Sequence, residues 1–278
     1  MEKLICACVQ LRSSDKLEDN IKTADRLVNQ AADQGAQFIA TPEMTGFMDI
    51  RSGGTRSKAT SEALDACLAQ LRQTARDRNI HVLIGSLAVS LEQDDRFANR
   101  SYLIGPTGEI IARYDKIHMF DVDVGDGQAY RESRSYKPGE QAVLAQTSIG
   151  AVGMTICYDL RFAYLYRMLA QAGASILTVP AAFTQTTGEA HWHVLLRARA
   201  IETGCYVIAP AQGGRHADGR ETYGHSLIIS PWGEILAEGG TDPGLVMAEI
   251  DLDEVAKARK RIPSLQHDRN VSLTKYSE

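Results

Sequence analysis

The segment AVGMTICYDLRF, at residues 151–162, joins an apolar run to a polar turn. The apolar half predicts a buried strand, and a helix is predicted to follow over Phe162–Gln171. A cysteine where strand and turn meet is held rigidly, near the N–H groups of a helix start, which favour a thiolate. Cys157 is therefore a candidate nucleophile, and a buried structural cysteine is the alternative.

Strands and helices alternate on both sides of this segment, and hairpins interrupt the alternation. A hairpin is predicted around Gly105–Gly108, between the strands Ser101–Ile104 and Glu109–Tyr114. Inserted hairpins favour mixed sheets over a purely parallel fold. We therefore expect an α/β protein in which two sheets pack on each other with helices outside. No linker or repeat divides the sequence, so one domain is predicted over residues 1–278. The other predicted elements are strands Leu4–Val9, Ala36–Ala40, His81–Leu87, Ser175–Val179, Cys205–Pro210 and Leu245–Asp251, and helices Leu17–Ala32, Glu62–Arg78 and Ala190–Thr203.

Composition restricts the classes of partner. The net charge of −5 gives no reason to expect nucleic acid or an anionic membrane as a partner. The first residues, MEKLICACVQ, do not resemble a secretory signal, and no apolar run has the length of a membrane helix. The five cysteines are scattered without a CxxC pair, which is typical of reduced thiols. We expect a cytoplasmic protein.

Two further residues follow predicted strands and are candidates for catalysis. Glu43 comes after Ala40-Thr41-Pro42, where a carboxylate can point into a cleft and transfer a proton. Lys116 follows the strand that ends at Tyr114, where an ammonium group can stabilise an oxyanion. A surface glutamate and a solvated edge-strand lysine are the alternatives when each residue is considered alone.

Taken in order, the motifs TPE at 41–43, YDKIH at 114–118 and ICYDLRF at 156–162 resemble those of the nitrilase-like carbon–nitrogen hydrolases. The resemblance covers nearly the whole chain. It implies a four-layer α-β-β-α sandwich and a catalytic triad of Glu43, Lys116 and Cys157. It also implies a second active-site glutamate, Glu132, which would hold Lys116 and help to position the substrate.

The reaction that this resemblance implies is amide hydrolysis through a thioester, with release of ammonia. Glu43 would take the proton of Cys157, and Lys116 with the backbone N–H of Tyr158 would stabilise the oxyanion. We expect no cofactor and no metal, because the histidines lack a HExxH arrangement and the glycines form no phosphate-binding loop. A small-molecule amide is the expected partner, and the family suggests a homodimer or a homotetramer.

Within the family, two segments resemble the branch of deaminated-glutathione amidases: AHWHVLLRARAIE at 190–202 and AQGGRH at 211–216. The neighbouring ω-amidases, which act on α-ketoglutaramate, share Thr187-Gly188 and Ala190-His191-Trp192 and typically lack the second segment. An ω-amidase is therefore the alternative within the family. A non-catalytic relative that serves as an interaction platform is the alternative of another class, although all three triad positions are filled.

Both candidate substrates carry carboxylates, so arginines near the cleft are candidates for binding them. Arg161 follows the nucleophile, and Arg215 lies in the distinguishing segment. A structural ion pair is the alternative for Arg161, and an exposed loop position is the alternative for Arg215. Phe183 and Trp192 are candidates for lining the pocket, with core packing as the alternative for both.

Overall fold

The computed structural model describes residues 3–51, 53–123 and 129–278. None of the helices in these ranges is long and apolar enough to cross a membrane. The helices are α1 (Leu17–Asp33), α2 (Ala66–Arg78), α3 (Ala163–Gln171), α4 (Gln185–Thr203) and α5 (Asp253–Arg261). The strands are β1 (Leu4–Gln10), β2 (Phe38–Ala40), β3 (His81–Leu91), β4 (Asp94–Ile104), β5 (Ile110–Asp115), β6 (Asp121–Asp123), β7 (Ala129–Arg131), β8 (Val143–Thr147), β9 (Gly150–Met154), β10 (Ile176–Thr178), β11 (Tyr206–Ala209), β12 (Gly213–Arg215), β13 (Glu221–Tyr223), β14 (Leu227–Ile229), β15 (Ile235–Glu238) and β16 (Gly244–Ile250).

Two six-stranded sheets form the centre of the molecule, in the orders β16-β1-β2-β3-β4-β5 and β15-β14-β11-β10-β9-β8. Each has a parallel middle, β1-β2-β3 in the first and β9-β10-β11 in the second. The remaining strands join these middles antiparallel. The prediction of mixed sheets is therefore confirmed, and the inserted hairpins are what make them mixed.

The alternation of side chains along β1 shows how the layers stack. Cys6 and Cys8 are fully buried in a core cluster that also contains Ile208 of the second sheet. Ala7 and Val9 point the other way, into a separate cluster with residues of α1 and α2. Because successive side chains of a strand face opposite sides, the first sheet is covered by helices on one side and by the second sheet on the other.

Helices α3 and α4 cover the outer face of the second sheet, where α3 contacts β9 and α4 contacts β11. Leu165 of α3 and Leu196 of α4 are buried in the same core cluster as the strands beneath them. The layers therefore run helix, sheet, sheet, helix. The predicted four-layer α-β-β-α sandwich is confirmed.

Several predicted boundaries differ from those in the structure. The predicted helix Glu62–Arg78 is interrupted, because a 3₁₀ turn over Glu62–Leu64 precedes α2. Asp65 separates the two, and its side chain accepts a hydrogen bond of 2.8 Å from Leu68 N, as an N-cap does. Strand β4 begins at Asp94, well before the predicted Ser101. The hairpins β6–β7 and β12–β13, and helix α5, were not predicted.

Candidate active site

A cavity of about 840 Å³ opens at the edge where β2, β5 and β9 end, and Glu43, Lys116, Glu132 and Cys157 all line it. The carboxyl ends of neighbouring strands commonly form such a site in α/β sheets. A groove of about 860 Å³ on another part of the surface is lined by Glu62 and Arg113 and contains none of these residues. The structure thus brings the four residues of the sequence motifs to one cavity.

Cys157 lies on a strained turn. Its φ of 48° is in the left-handed region, which residues other than glycine rarely adopt and which costs about 1–3 kcal/mol. Two bonds hold this backbone: Cys157 N donates to Pro180 O at 2.9 Å, and Ile156 N donates to the Asp159 carboxylate at 2.8 Å. The thiol is therefore presented at the end of β9 by a fixed turn.

The buried carboxylate of Asp159 joins this turn to the segment that carries Lys116. It accepts hydrogen bonds from Tyr114 Oη at 2.6 Å and from His118 N at 3.1 Å, and it lies 2.7 Å from His118 Nδ1. The His118 ring in turn stacks on Phe162, with centroids 3.5 Å apart. Because one side chain binds both segments, the positions of Lys116 and Cys157 are fixed relative to each other.

Glu43 follows β2 on a loop that approaches β3 closely. A Cβ atom at Gly85 of β3 would lie only 2.1 Å from Thr41 O, so this approach requires a glycine. Glu43 Oε1 accepts from Lys116 Nζ at 3.0 Å, and Oε2 accepts from Ala182 N at 2.8 Å. The carboxylate is thus held by a charge from one sheet and by an N–H from a loop beside the other.

Glu132 lies on the opposite side of the lysine, as the family resemblance implies. Lys116 Nζ donates to Glu132 Oε1 at 3.0 Å and to Oε2 at 2.8 Å, and Oε2 also accepts from Phe120 N at 2.7 Å. The side chain of Lys116 is only 2% exposed. One buried ammonium group therefore joins two carboxylates, and its three N–H groups are all engaged.

Asn99 belongs to this cluster and was not predicted. It is fully buried on β4, and its Nδ2 donates to Glu43 Oε1 at 2.9 Å and to Glu132 Oε1 at 3.1 Å. Its backbone oxygen also accepts from Lys116 N at 3.0 Å. The signal was available, since extending the predicted hairpin backwards from Gly105–Gly108 places Asn99 beside the start of the lysine loop. The prediction that this strand starts at Ser101 concealed it.

Lys116 and Glu43 stabilise each other's ionised forms. Burial alone would lower the pKa of Lys116, but the charges of Glu132 and Glu43 outweigh burial and raise it well above its ordinary value. Burial likewise acts to raise the pKa of Glu43. The charge of Lys116 and hydrogen bonds from Cys157, Lys116 and Ala182 N outweigh that effect, so this pKa is lowered. At neutral pH the site holds a cationic Lys116 and an ionised Glu43.

The surroundings of Cys157 disfavour its ionised form. Burial, followed by the negative charge of Glu43, raises the pKa of its thiol well above the usual value, and Lys116 only partly opposes this. Lys116 favours the thiolate, as expected, but burial and the charge of Glu43 outweigh its effect. The thiol lines the same cavity as the ionised carboxylate of Glu43. Deprotonation then requires transfer of the proton to Glu43.

Tyr158 and Phe183 line the cavity, as predicted. The guanidinium group of Arg161 lies beside both rings, 5.9 Å from the centroid of Tyr158 and 5.5 Å from that of Phe183. Its Nη2 is 3.3 Å from His191 Nδ1, and no acidic partner of Arg161 is found among the described residues. Arg161 therefore lies behind the aromatic wall of the cavity rather than in a structural ion pair.

Trp192 and Arg215 lie elsewhere than predicted. Trp192 is fully buried behind Phe183, with ring centroids 5.0 Å apart, and does not line the cavity. Core packing is the physical reason, because its ring fills space beneath α4. Arg215 is exposed on β12, and it is Arg220 of the same hairpin that lines the cavity. The fold of this hairpin, which pairs Arg215 with Glu221, was not apparent from the sequence.

The segment at residues 211–216 holds the loop of Glu43 in place. Gln212 is fully buried, and its Nε2 donates to Glu43 O at 3.0 Å and to Ser13 Oγ at 2.8 Å. His216 is buried, and its Nδ1 lies 2.9 Å from Ser13 O. This segment therefore fixes the backbone of Glu43 through the hydrogen bond from Gln212.

A four-layer sandwich with a thiol, a carboxylate and an ammonium group at one cavity is the architecture of a cysteine-dependent hydrolase. The family profile described as carbon-nitrogen hydrolase matches residues 5–260. The chain belongs to this family, and it is a hydrolase of carbon–nitrogen bonds other than peptide bonds.

Known proteins similar to this chain fit the family. A protein of Synechocystis sp. named deaminated glutathione amidase is 42% identical over 271 residues, which cover 96% of this chain and 98% of that protein. The C. elegans NitFhit protein has a TM-score of 0.89 at 33% identity, over 96% of this chain and 65% of its own longer chain. A glutamate-to-glutamine mutant of the amidase from Nesterenkonia sp. AN1, with the acetamide moiety of fluoroacetamide bound covalently at its active-site cysteine, has a TM-score of 0.80 at 27% identity, over 96% of this chain and 94% of that one.

Proposed function

We propose that the chain is a cysteine-dependent amidase that hydrolyses the terminal amide of deaminated glutathione and releases ammonia. One observation carries the proposal: Cys157 lines one cavity with an ionised Glu43 and the cationic Lys116, whose Nζ lies 3.0 Å from Glu43 Oε1. The name of the Synechocystis relative supports the substrate, and the adduct on the Nesterenkonia amidase supports a cysteine nucleophile.

In the first half of the reaction, Glu43 takes the proton from Cys157 while sulfur attacks the amide carbon. A C–S bond forms, and the carbonyl electrons move to oxygen. We assign stabilisation of this oxyanion to the charge of Lys116 and to the N–H of Tyr158, and a hydrogen-bond donor in such a position is worth about 2.7–4 kcal/mol in other enzymes. The C–N bond then breaks, and ammonia leaves with the proton held by Glu43.

In the second half, Glu43 acts as a base again. It takes a proton from water, and the oxygen attacks the thioester carbon. The C–S bond breaks, the acid is released and the sulfur regains the proton from Glu43. Glu132 and Asn99 form no bond with the reacting atoms in this scheme. They are positioning residues, which hold Lys116 and Glu43 where the oxyanion and the proton require them.

The cavity suits an extended substrate with carboxylates. Its volume of about 840 Å³ is near the upper end of small-molecule sites. Arg220 lines its wall and is oriented by Asp218, with Arg220 Nη2 and Asp218 Oδ2 2.8 Å apart. We place a substrate carboxylate near Arg220, since the planar guanidinium group binds carboxylates through two hydrogen bonds. Arg161, predicted for the same role, does not line the cavity. This replaces the role predicted for Arg215.

The test measures ammonia release from deaminated glutathione and from α-ketoglutaramate, with Cys157→Ala as the control. A much higher kcat/KM for deaminated glutathione supports the proposal. Faster turnover of α-ketoglutaramate identifies an ω-amidase with the same cluster. No ammonia from either substrate contradicts the substrate assignment, and a panel of other amides then distinguishes a different amidase from a non-catalytic relative.

The exposed apolar face of the sandwich supports a homodimer, and by further pairing a homotetramer. Met168 of α3, Val194 and Ile201 of α4, and Trp232 are all exposed there. Exposed apolar side chains of this size are enriched at protein interfaces. Light scattering after size exclusion is expected to give at least twice the monomer mass, and Val194→Glu is expected to reduce it. A monomeric parent chain would contradict this part of the proposal.

The thiols of the chain support a cytoplasmic location. All five cysteines are free and buried, and the proposed nucleophile must stay reduced to act. A reducing compartment suits such a set, because thiols persist there without forming disulfides. Fractionation of cells that express the natural gene tests this location, and recovery from an oxidising compartment would refute it. We also propose that the whole chain acts as one domain.

A further inference from the structure

Outside the cavity, two histidines from separate elements face one carboxylate oxygen of a glutamate from a third element. His193 lies on α4, His225 lies between β13 and β14, and Glu238 ends β15. Glu238 Oε1 is 2.9 Å from His193 Nε2 and 2.9 Å from His225 Nδ1. The three ligand atoms all lie within 4.8 Å of one another. We call this group the surface triad.

The two imidazole rings are oriented by their surroundings. Tyr223 stacks on His225 with centroids 4.4 Å apart and an angle of 27°, and it meets His193 edge to face. His225 has a φ of 51°, and its backbone oxygen accepts from Trp192 Nε1 at 2.8 Å. Backbone conformations of this kind are concentrated at functional sites. The triad is thus held in place by packing and by the backbone.

We propose that the surface triad binds a divalent transition-metal ion of the zinc class. Two imidazole nitrogens and one carboxylate oxygen form a ligand set that Zn²⁺ uses in proteins, with water in the fourth position. Zinc–ligand bonds of about 2.0–2.1 Å place tetrahedral ligands about 3.3 Å apart. The N···O distances of 2.9 Å would therefore have to widen by only a few tenths of an ångström.

Both histidines of the triad can bind the ion after a change of tautomer. In the hydrogen-bonded form, each ring donates an N–H to the carboxylate from the nitrogen that faces it. On metal binding, that proton moves to the other ring nitrogen, and the facing nitrogen donates its lone pair to the ion. The histidine side chains are 28% and 27% exposed, so water can carry the protons. No redox step is involved.

Metal bound here would stabilise one side of the cavity wall. Trp192, which holds the backbone of His225, packs on Phe183, and Tyr223 N donates to Phe183 O at 2.9 Å. Phe183 lines the cavity. An ion that binds only the folded chain raises its stability by mass action. The expected role is a structural one, outside the reaction itself.

The test is Zn²⁺ binding to the untagged full chain, measured by competition with a chromophoric chelator. All proteins carry Cys157→Ala, which removes the catalytic thiol as a competing ligand. The parent is expected to bind one Zn²⁺ per chain, and His193→Ala or Glu238→Gln to weaken binding by roughly tenfold or more. His191→Ala is the matched control, because it removes an exposed histidine of the same helix that lies outside the triad.

Two further measurements make the test decisive. Bound Co²⁺ is expected to show the visible absorption of a tetrahedral site in the parent and in His191→Ala, and to lose it in His193→Ala. Added Zn²⁺ is expected to raise the Tm of the same two proteins only. No saturable binding by the parent, or equal binding by His193→Ala and the parent, would overturn the proposal and leave a purely hydrogen-bonded triad.

Discussion

The catalytic cluster (Glu43, Asn99, Lys116 and Glu132) and the surface triad are built on the same motif. In each, one carboxylate oxygen accepts two nitrogen donors at about 3 Å: Lys116 and Asn99 for Glu43, and the two histidines for Glu238. Their exposure differs greatly. The Glu43 side chain is 6% exposed, and that of Glu238 is 39% exposed.

This difference in burial determines what each group can do. Water replaces a lost partner at the surface, so an exposed ion pair contributes little to stability, and its ligand atoms stay available to a metal ion. In the catalytic cluster a lost partner leaves a desolvated charge, which is costly. The buried group therefore holds fixed charges for the reaction, whereas the surface group can exchange its partners.

Lys116→Met is expected to cause the largest losses of stability and activity, and so to show most clearly how the buried cluster differs from the surface triad. It leaves two buried carboxylates without their cation, so the free energy of unfolding should fall by about 3–5 kcal/mol. The oxyanion also loses a donor, so kcat/KM should fall by about 10²–10³-fold or more. Ammonia release and chemical denaturation measure both. Lys137→Met, at an exposed lysine, is the control. More than a tenth of the parent activity in Lys116→Met would contradict this role.

Glu132→Gln is expected to have the next largest effect. The amide oxygen can still accept from Phe120 N, but the charge that holds one side of Lys116 is lost. Because the reacting groups remain, we expect kcat to fall by about 10–100-fold, which corresponds to about 1.4–2.7 kcal/mol, with a smaller change in KM. Steady-state kinetics measure the two constants separately. A change in KM alone would show that Glu132 only binds substrate.

Asn99→Leu tests the neutral member of the cluster. The side chain keeps its shape but loses both donated hydrogen bonds, so kcat should fall by about tenfold. Those bonds stabilise the ionised form of Glu43, so their loss should raise its pKa. The acid limb of the kcat profile is then expected to move to higher pH. A pH–rate series measures the shift, and an unmoved limb would mean that Asn99 acts through packing alone.

The pH dependence of the parent protein follows from the lowered pKa of Glu43. The folded-state pKa of Glu43 lies below its ordinary value. Its ionised form therefore stabilises the fold above the unfolded pKa, and this contribution is lost as the pH falls through the folded pKa. Activity should accordingly persist to a pH below about 4.3, the ordinary glutamate pKa, unless the fold is lost first. Rate and far-UV circular dichroism, recorded over one pH series, distinguish the two losses.

Glu238→Gln is expected to have the smallest effect. At an exposed site the loss of the carboxylate and its hydrogen bonds should change the free energy of unfolding by about 0–1 kcal/mol in chelator-treated buffer, with activity unchanged. Denaturation with and without chelator measures this. A loss as large as that of Lys116→Met would show that the two groups do not differ as their burial implies.

The motifs that meet at the cavity could be found from sequence because each lies in a few consecutive residues at the end of a predicted strand. The sandwich followed from the hairpins between alternating strands and helices, together with the family resemblance. Asn99 was missed for a local reason: the polar and charged residues of 94–100 hid the first half of β4. Its function depends on which residue lies across the strand pair, which requires the register.

Residues brought together from distant segments were harder to predict. The members of the surface triad lie in three elements at irregular spacing, so no sequence motif marks them. Arg215 was chosen because it lies in the distinguishing segment. Arg220 was missed because the turn of β12–β13 was not recognised, and that turn decides which arginine lines the cavity. Trp192 was placed correctly on α4, but the direction in which its ring points depends on how the helix packs.

The pairing of β16 with β1 has a consequence for biosynthesis. Leu4–Gln10 pairs along its whole length with Gly244–Ile250, so β1 gains this neighbour only after all the residues between the two strands have been made. Until then one edge of an apolar strand is open to pairing with other chains. Such a nascent chain is aggregation-prone, and its first sheet is completed only when β16 has left the ribosome. Chaperone capture during synthesis should therefore favour ribosome-bound chains that stop short of β16.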